Sequence, residues 1–186
     1  MIALASGALL LLYPLVIYFG VRWFGVGAAA AAAVLVFGLR LAARRTGGMQ
    51  LSRAHLALTT VAGIGLALIS LLQRRADAML YYPVLMNAGL LAAFAWSLAH
   101  PPTVIERIAR LREGELSPAA VAYTRKVTVA WAIFFACNGA IAFATARWTS
   151  IETWTFYNGG LAYLLIGVMF GAEWLVRRHV RRTEAK

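Results

Sequence analysis

Six long apolar runs dominate this sequence and decide what it can fold into. Several of them approach the roughly 20 residues that an α-helix needs to cross the hydrocarbon core of a bilayer. Only 13% of the residues are charged, about half the share typical of a soluble domain. We therefore predict an all-α integral membrane bundle of six transmembrane helices, in a single transmembrane domain covering residues 1–186. The runs lie at 2–21, 24–43, 55–73, 80–98, 127–147 and 156–176.

The basic residues predict how these spans are oriented. With a cytoplasmic N-terminus, fourteen of the 18 lysines and arginines fall in cytoplasmic segments, which is the positive-inside bias. We therefore predict a multi-pass membrane protein with both termini in the cytoplasm. The net charge of +11 fits this placement, and because the charge lies between apolar runs we expect no nucleic acid partner. The four outer basic residues are Arg22, Arg74, Arg75 and Arg147.

The sequence between the fourth and fifth runs interrupts the apolar pattern with a charged segment. Thr103 and Glu106 have the spacing of a capping box, which predicts a helix start at Thr103. Gly114 is expected to end that helix. Ser117 then caps the next helix, with Pro118 in its first turn. The segment predicts one short cytoplasmic amphipathic helix, followed by an extension of the fifth span.

This short helix has two interpretations. Its apolar positions follow helical spacing, and we expect Val104, Ile108 and Leu111 to dip into the membrane interface, with the charged residues on the other side. The helix is either a structured connector that obeys the positive-inside bias or a docking surface for anionic lipids or a partner. The basic residues of the candidate docking surface are Arg107, Arg110, Arg112, Arg125 and Lys126.

Three asparagines lie inside apolar runs, where polar side chains are candidate functional residues by default. They either form hydrogen bonds that hold the helices together or line a polar site for the head group of a substrate. Small residues follow each asparagine and would let helices approach closely. Gly167 and Gly171 also predict a close-packing face on the sixth span. The asparagines are Asn87, Asn138 and Asn158.

The first half of the chain adds two expectations. Its first two runs are joined only by RWFG (22–25), which predicts a tight hairpin, and the small residues at 27–33 would pack closely in it. The stretch YPLVIYFG (13–20) is also similar to YPVLMNAG (82–89). Such a repeat is compatible with two inverted halves of three spans each, but in a chain of this composition chance explains the match more readily.

The tryptophans are expected to mark the two membrane interfaces, where their amphipathic rings are enriched. Three fall near each predicted boundary, so the six-span arrangement predicts two belts. The outer belt is Trp23, Trp148 and Trp154, and the inner belt is Trp96, Trp131 and Trp174.

No pattern of catalytic or cofactor-binding residues accompanies these spans. No carboxylate is placed at the middle of a span, which argues against coupling to protons or sodium, and no His, Cys and Asp cluster has metal-ligand spacing. The single cysteine, Cys137, is expected to be a small buried hydrophobic residue. We therefore predict no catalytic residue, no metal and no cofactor.

Two runs in the second half carry a family resemblance: PPTVIERIARLREGELSPAAVAYTRKVTVAWAIFFACNGAIAFATA and WTFYNGGLAYLLIGVMFGAEWLVRR. They resemble an uncharacterised group of bacterial inner-membrane proteins encoded in gene clusters for aryl-polyene and xanthomonadin-type pigments. The order of spans and the aromatic runs at 131–135 and 154–158 are also similar to the intracellular septation protein A family, whose members are linked to envelope synthesis and division. The resemblance implies envelope-biosynthesis or division proteins as partners and supplies no catalytic residues.

These observations leave three functions. The leading one, implied by the resemblance, is a non-catalytic inner-membrane factor of cell-envelope biogenesis that assists assembly or export of a lipid-linked aryl-polyene pigment. The alternative is a small transporter or flippase for such a product, and the third is a membrane enzyme acting on an acyl chain. A solid bundle would favour the first, a polar cavity reaching the middle of the bundle the second, and a converging His, Ser and acid the third.

Overall fold

The computed structural model describes residues 13–42, 50–74 and 77–184, and in these ranges the chain forms helices and no strand. The predicted all-helical class is therefore confirmed for the described residues. A 3-10 turn, Asp77–Tyr81, precedes α3, and a π-helical turn, Tyr157–Leu161, joins α6 to α7. The helices are α1 Tyr13–Ala42, α2 Gln50–Gln73, α3 Tyr82–Ala99, α4 Val104–Glu113, α5 Pro118–Trp148, α6 Ile151–Phe156 and α7 Ala162–Glu184.

Helix α1 is a hairpin of two arms that reverse at Gly25. This residue has φ 80° and ψ 168°, a conformation open to glycine and costly for residues with a Cβ. The rings of Tyr13 and Phe37 lie 6.1 Å apart, whereas a straight helix would separate these positions by about 36 Å. A Cβ on Gly20 would lie 3.1 Å from the Cβ of Ala29. The predicted tight hairpin is confirmed, and of the small residues at 27–33 it buries Ala29, Ala30 and Ala33.

Four helical segments are long and apolar enough to cross a membrane: Tyr13–Leu35, Asp77–Ala99, Pro118–Trp148 and Ile151–Arg178. A shorter apolar helix covers Thr60–Gln73 in α2. Since the first segment contains the reversal at Gly25, its apolar length is divided between two antiparallel arms. The described residues thus give four candidate spans where the sequence predicts six. The start of the first predicted span lies outside the described residues.

One end of the bundle gathers the reversal in α1, the turn before α3 and the start of α6. Arg22 lies close enough to Glu152 for its positive charge to act on that carboxylate. The indole Nε1 of Trp154 donates a hydrogen bond to the carbonyl of Leu80 (3.0 Å). We call this the Gly25 end of the bundle.

The opposite end carries α4 and is called the Gly114 end. There the hydroxyl of Tyr123 on α5 donates to the carbonyl of Glu173 on α7 (3.3 Å). The guanidinium of Arg125 donates to the carbonyl of Leu98 at the end of α3 (2.8 Å). These contacts join α5 to both α7 and α3 at this end of the bundle.

Two buried clusters fill the bundle. The first joins α1, α2 and α6 around Tyr13, Phe37 and Trp154, and the second joins α3 and α5 around Phe94 and Phe135. Trp154 is fully buried in the first cluster and Trp131 is buried in the second, so these two rings do not anchor an interface, whereas their depth in a membrane stays a prediction. Apolar spans do not indicate which face turns inward, and an indole fills a core as readily as it anchors an interface. The four exposed tryptophans are Trp23, Trp96, Trp148 and Trp174.

Candidate functional site

The three asparagines predicted as a polar intramembrane site line one cavity of about 380 Å³. They reach it from three different elements: Asn87 from α3, Asn138 from α5 and Asn158 from the π-helical turn. All three side chains are buried. We call this space the asparagine cavity. The structure therefore brings together residues that lie up to 71 positions apart in the sequence.

A directional chain of hydrogen bonds runs along one wall of the cavity. The hydroxyl of Tyr157 donates to Oδ1 of Asn138 (2.8 Å), and Nδ2 of Asn138 donates to Oδ1 of Asn87 (3.0 Å). Nδ2 of Asn87 then donates to the carbonyl of Pro83 (2.8 Å). Because a carbonyl can only accept, the last bond fixes the orientation of both amides. The asparagines thus link α3, α5 and the π-helical turn while also facing the cavity.

Asn158 is held differently. Its Nδ2 donates to Oγ1 of Thr145 (3.1 Å) and to the carbonyl of Trp154 (3.0 Å), so both of its N–H groups are used. Its Oδ1 points away from these partners and accepts no hydrogen bond from the described residues. The residue as a whole is only 4% exposed, and its Oδ1 is an acceptor at the wall of the cavity without a partner in the described parts of the chain.

The π-helical turn is what places Asn158 there. A π turn widens an α-helix by one residue and is often found at functional sites. The turn packs closely against α1: a Cβ on Gly159 would lie 3.4 Å from the Cβ of Pro14. Sequence reasoning missed this turn, although the consecutive residues Asn158, Gly159 and Gly160 are a local signal for irregular helix.

The two similar stretches of the sequence both begin at the cavity. The rings of Tyr13 and Tyr82 lie with centroids 4.5 Å apart, and the prolines that follow them, Pro14 and Pro83, also line the space. The arm from Tyr13 runs towards the Gly25 end, whereas α3 runs from Tyr82 towards the Gly114 end. The two stretches are therefore antiparallel at the point where they meet. Sequence reasoning did not single out these tyrosines as site residues.

The rest of the lining is uncharged, and it is apolar apart from the three tyrosines Tyr13, Tyr82 and Tyr163. No Asp, Glu, Lys, Arg or His is among the residues that line the cavity. Within the described residues, no group of three His, Cys, Asp or Glu is placed to hold a metal ion. Cys137, beside Asn138 in sequence, is exposed on α5, so its predicted burial is wrong. The apolar lining residues are Met86, Leu90, Phe135, Ala162 and Ile166.

The cavity has one tightly packed side and one loosely packed side. On the tight side α3 meets α5, where a Cβ on Gly139 would lie 3.0 Å from the Cβ of Asn87. On the loose side the backbone of α7 makes few close approaches to α3 or α5, and the aromatic rings of Trp131 and Phe170 span the gap at 4.8 Å. Nothing lies within 4 Å of a Cβ on Gly167.

Gly171 is equally open. The close-packing face predicted from Gly167 and Gly171 is therefore not used within the described chain. Both glycines lie on the exposed side of α7, because the side chains that hold α7 to α5 project from the other side of the helix. Spacing alone predicts a face that permits close approach and does not indicate whether a neighbour occupies it.

The second candidate site, α4 with its basic residues, begins and ends as predicted. Oγ1 of Thr103 accepts the amide of Glu106 (3.3 Å), and the carboxylate of Glu106 accepts the amide of Thr103 (3.3 Å), which completes the capping box. Gly114 follows the helix with φ 75°. Ser117 caps α5, with Pro118 in its first turn.

The faces of α4 differ in part from the prediction. Val104 is buried against the bundle, whereas Ile108 and Leu111 are exposed. Glu106, predicted on the solvated side, is 5% exposed, because its carboxylate closes the capping box and accepts two hydrogen bonds from Arg110 (3.0 and 2.8 Å). A carboxylate with these hydrogen bonds can be buried between α4 and the bundle at little cost in folding free energy.

The five predicted docking residues are not equivalent. The guanidinium of Arg107 donates to the carbonyl of Pro102 (2.8 Å), Arg110 pairs with Glu106 and Arg125 donates to α3, while Arg112 and Lys126 are exposed. At about 100° per residue around the helix, Ile108 and Leu111 lie between Arg107 and Arg112. An exposed apolar strip between two arginines is typical of a helix lying at a membrane surface.

No family model, no curated protein and no solved structure matches this chain.

Proposed function

We propose that the protein is a membrane-embedded carrier or transporter that takes a lipid-linked molecule into the asparagine cavity. The observation that carries this proposal is the convergence of three buried asparagines on one space of about 380 Å³. Pockets of this size hold small molecules or parts of larger ones. Polar side chains inside a membrane bundle mark substrate pathways more often than ordinary surface polar residues do.

The depth of the cavity supports a carrier over a solid assembly factor. Its lining runs along α3 from Tyr82, the first residue of the helix, to Leu90, at its midpoint. On α5 it includes Phe135 and Asn138, in the apolar part of that helix. The cavity therefore extends from near the Gly25 end to the middle of the bundle, as a transport site requires.

A membrane enzyme has less support. Among the described residues, His100 stacks on the indole of Trp96 with centroids 3.8 Å apart. It lies about 20 Å along α3 from Asn87, at the Gly114 end of the bundle. The described residues thus bring no histidine to the asparagine cavity.

The cellular setting is also a proposal. Cell-envelope biogenesis, a lipid-linked aryl-polyene pigment as cargo and partners among envelope-biosynthesis or division proteins all rest on the family resemblance. The three-dimensional arrangement adds only that a lipid-linked cargo of some kind suits an apolar cavity with a neutral polar wall.

We propose an inner-membrane topology of six spans with both termini in the cytoplasm. It is supported by the bias of basic residues and by the position of Arg22 at the same end as Glu152 and Arg147. Reporter fusions at Met1 and Lys186 test it, and both are expected to report the cytoplasm. A C-terminal reporter active in the periplasm would require an odd number of spans and would contradict this topology.

We also propose that α4 rests on the head groups of anionic lipids. Replacing Arg107 and Arg112 by Gln should weaken the binding of anionic lipid by about 1 kcal/mol for each residue. The readout is the amount of anionic lipid that purifies with the protein. The matched control is the pair Arg22→Gln and Arg147→Gln, which removes equal charge from the Gly25 end. Equal losses in both pairs, or no loss in either, would leave α4 as a connector only.

Filling the cavity tests the carrier proposal. Ala162 is buried in the cavity wall on α7, and Ala140 is exposed on α5, so Ala162→Phe fills the space while Ala140→Phe adds the same volume outside it. Native mass spectrometry of the purified proteins should show bound lipid in the wild type and in Ala140→Phe, and a loss of that lipid in Ala162→Phe. Lipid retained equally by both folded variants would contradict a carrier that uses this cavity.

A further inference from the structure

We infer that the asparagine cavity selects an uncharged lipid that carries a free hydroxyl group. The inference rests on the proposed function and adds to it the chemical class of the ligand. It follows from three properties of the cavity wall: its lack of charge, its unused hydrogen-bonding atoms, and the side on which it is open.

The composition of the wall excludes charged ligands from the cavity. The lining contains no basic side chain to receive a phosphate or carboxylate and no acidic side chain to receive an ammonium group. An ion taken from water into such a site loses its hydration and gains no counter-charge, which is far costlier than burying a neutral hydrogen-bonding group. Phospholipid head groups, ionised fatty acids and protonated amines are therefore poor ligands.

The wall of the cavity favours a ligand that donates a hydrogen bond. Oδ1 of Asn158 is fixed in direction, because both N–H groups of the same amide are held by Thr145 and Trp154. This oxygen accepts no hydrogen bond from any residue that the structure describes, although the residue is 96% buried. The oxygen is accessible at the wall of the cavity, so its partner must come from whatever fills that space. A ligand that donates a hydrogen bond there gains an interaction that an apolar chain cannot make.

The wall also offers hydrogen-bond donors of its own. Nδ2 of Asn87 uses one N–H for the carbonyl of Pro83, and Nδ2 of Asn138 uses one for Asn87. Each amide nitrogen has two N–H groups, so one on each residue remains for an acceptor on the ligand. A hydroxyl is the smallest neutral group that both donates and accepts. Esters, ethers, ketones and quinones accept only, and would leave Asn158 Oδ1 unpaired.

The apolar tail of the ligand would leave the cavity between α3 and α7. The polar wall is buried, whereas Met86 and Leu90 on α3 and Ile166 on α7 are only half-buried. The backbones of these two helices approach each other little. The polar group would thus lie against the asparagines, with its chain passing between Leu90 and Ile166 into the bilayer.

Photolabelling with matched competitors tests this selection on the full chain. The purified wild-type protein is labelled with a diazirine derivative of hexadecanol, and peptide mass spectrometry locates the adducts, which we expect at Met86 and Tyr163 in the lining. Hexadecanol, hexadecyl methyl ether and hexadecanoate then compete for labelling at about pH 9, where the carboxylate is ionised. Hexadecanol should compete about tenfold better than the ether, since a single buried hydrogen bond is worth that much. It should compete at least as much better than hexadecanoate, because the charged head group loses its hydration in the cavity.

The outcomes separate this inference from the proposed function. Labelling in the cavity with equal competition by the ether overturns the hydroxyl selection and leaves the carrier standing. Equal competition by hexadecanoate overturns the exclusion of charge. Absence of adducts in the lining overturns both proposals. In Asn158→Leu the preference for the alcohol over the ether should fall to about one, and a preference that persists in the folded variant would overturn the role given to Asn158.

Discussion

Helix α3 packs against two neighbours in opposite ways. Against α5 it meets small residues, so that the two backbones approach closely enough for Asn87 and Asn138 to share a hydrogen bond (3.0 Å). Against α7 it meets no comparable surface, and α7 is kept at a distance by aromatic side chains on α5. Both interfaces are built from apolar helices of similar composition. Small residues at the contact, rather than hydrophobicity, decide which interface closes, as expected where lipid is as apolar as protein.

The contrast explains where a ligand can enter. Only a small fraction of the segment Ile151–Arg178 is buried inside the bundle, whereas Pro118–Trp148 is buried over about a third of its apolar window. A helix with few buried contacts moves away at little cost, and such elements are the ones that open around ligands. The tight interface would hold the amide network in place while the loose one admits an apolar chain.

The largest effect is expected where the tight interface is broken. In Gly139→Leu the new Cβ alone would lie 3.0 Å from the Cβ of Asn87, and the rest of the leucine side chain adds to the crowding. Overpacking of this kind costs about 1–3 kcal/mol of folding stability. Gly167→Leu is the matched control on α7, where nothing lies within 4 Å. Thermal unfolding of the purified proteins should show a clear loss for the first variant and none for the second. Equal stability of the two would mean that the two interfaces do not differ as described.

An intermediate effect is expected from the amide pair. Asn87→Leu and Asn138→Leu should each cost about 1 kcal/mol, and the double variant should cost less than the sum, because each single change leaves a buried amide group without its partner. The same thermal measurement over all four proteins gives the coupling. Strictly additive losses would show that the hydrogen bond between the two side chains contributes nothing to the tight interface.

The smallest effect on stability is expected on the loose side. Phe170 is largely exposed and meets Trp131 with ring centroids 4.8 Å apart. Phe170→Ala should leave thermal stability nearly unchanged but speed hydrogen exchange along α7, because that helix has few other contacts. Phe156→Ala, at another exposed aromatic residue, is the control. Unchanged exchange in α7 would show that other contacts hold this helix in place.

Features with local causes were predictable from the sequence. The capping box at Thr103, the helix ends at Gly114 and Ser117 and the reversal near Gly25 each depend on a few neighbouring residues, and the sequence contains those residues. The presence of polar residues at Asn87, Asn138 and Asn158 was equally visible, and hydrogen bonding between helices was one of the two roles predicted for them.

Features that depend on which face turns inward were not predictable. Trp131 and Trp154 are buried although their sequence positions suit an interface, and Cys137 is exposed although it lies in the middle of an apolar run. In a span that is apolar all round, hydrophobic periodicity carries little information about orientation. The convergence of the asparagines also depends on the π-helical turn at Tyr157–Leu161, which no periodic pattern predicts.

The central claim is that α7 can separate from α3 around a lipid while α5 cannot. It is tested most directly by distances between spin labels in a Cys137→Ser background, which removes the only native cysteine. Labels at the exposed positions Ala88 and Leu164 report the α3–α7 pair, and labels at Ala88 and Ala140 report the α3–α5 pair. We predict that adding lipid to delipidated protein shifts the α3–α7 distances and leaves the α3–α5 distances unchanged. Distances that stay the same in both pairs would contradict the account.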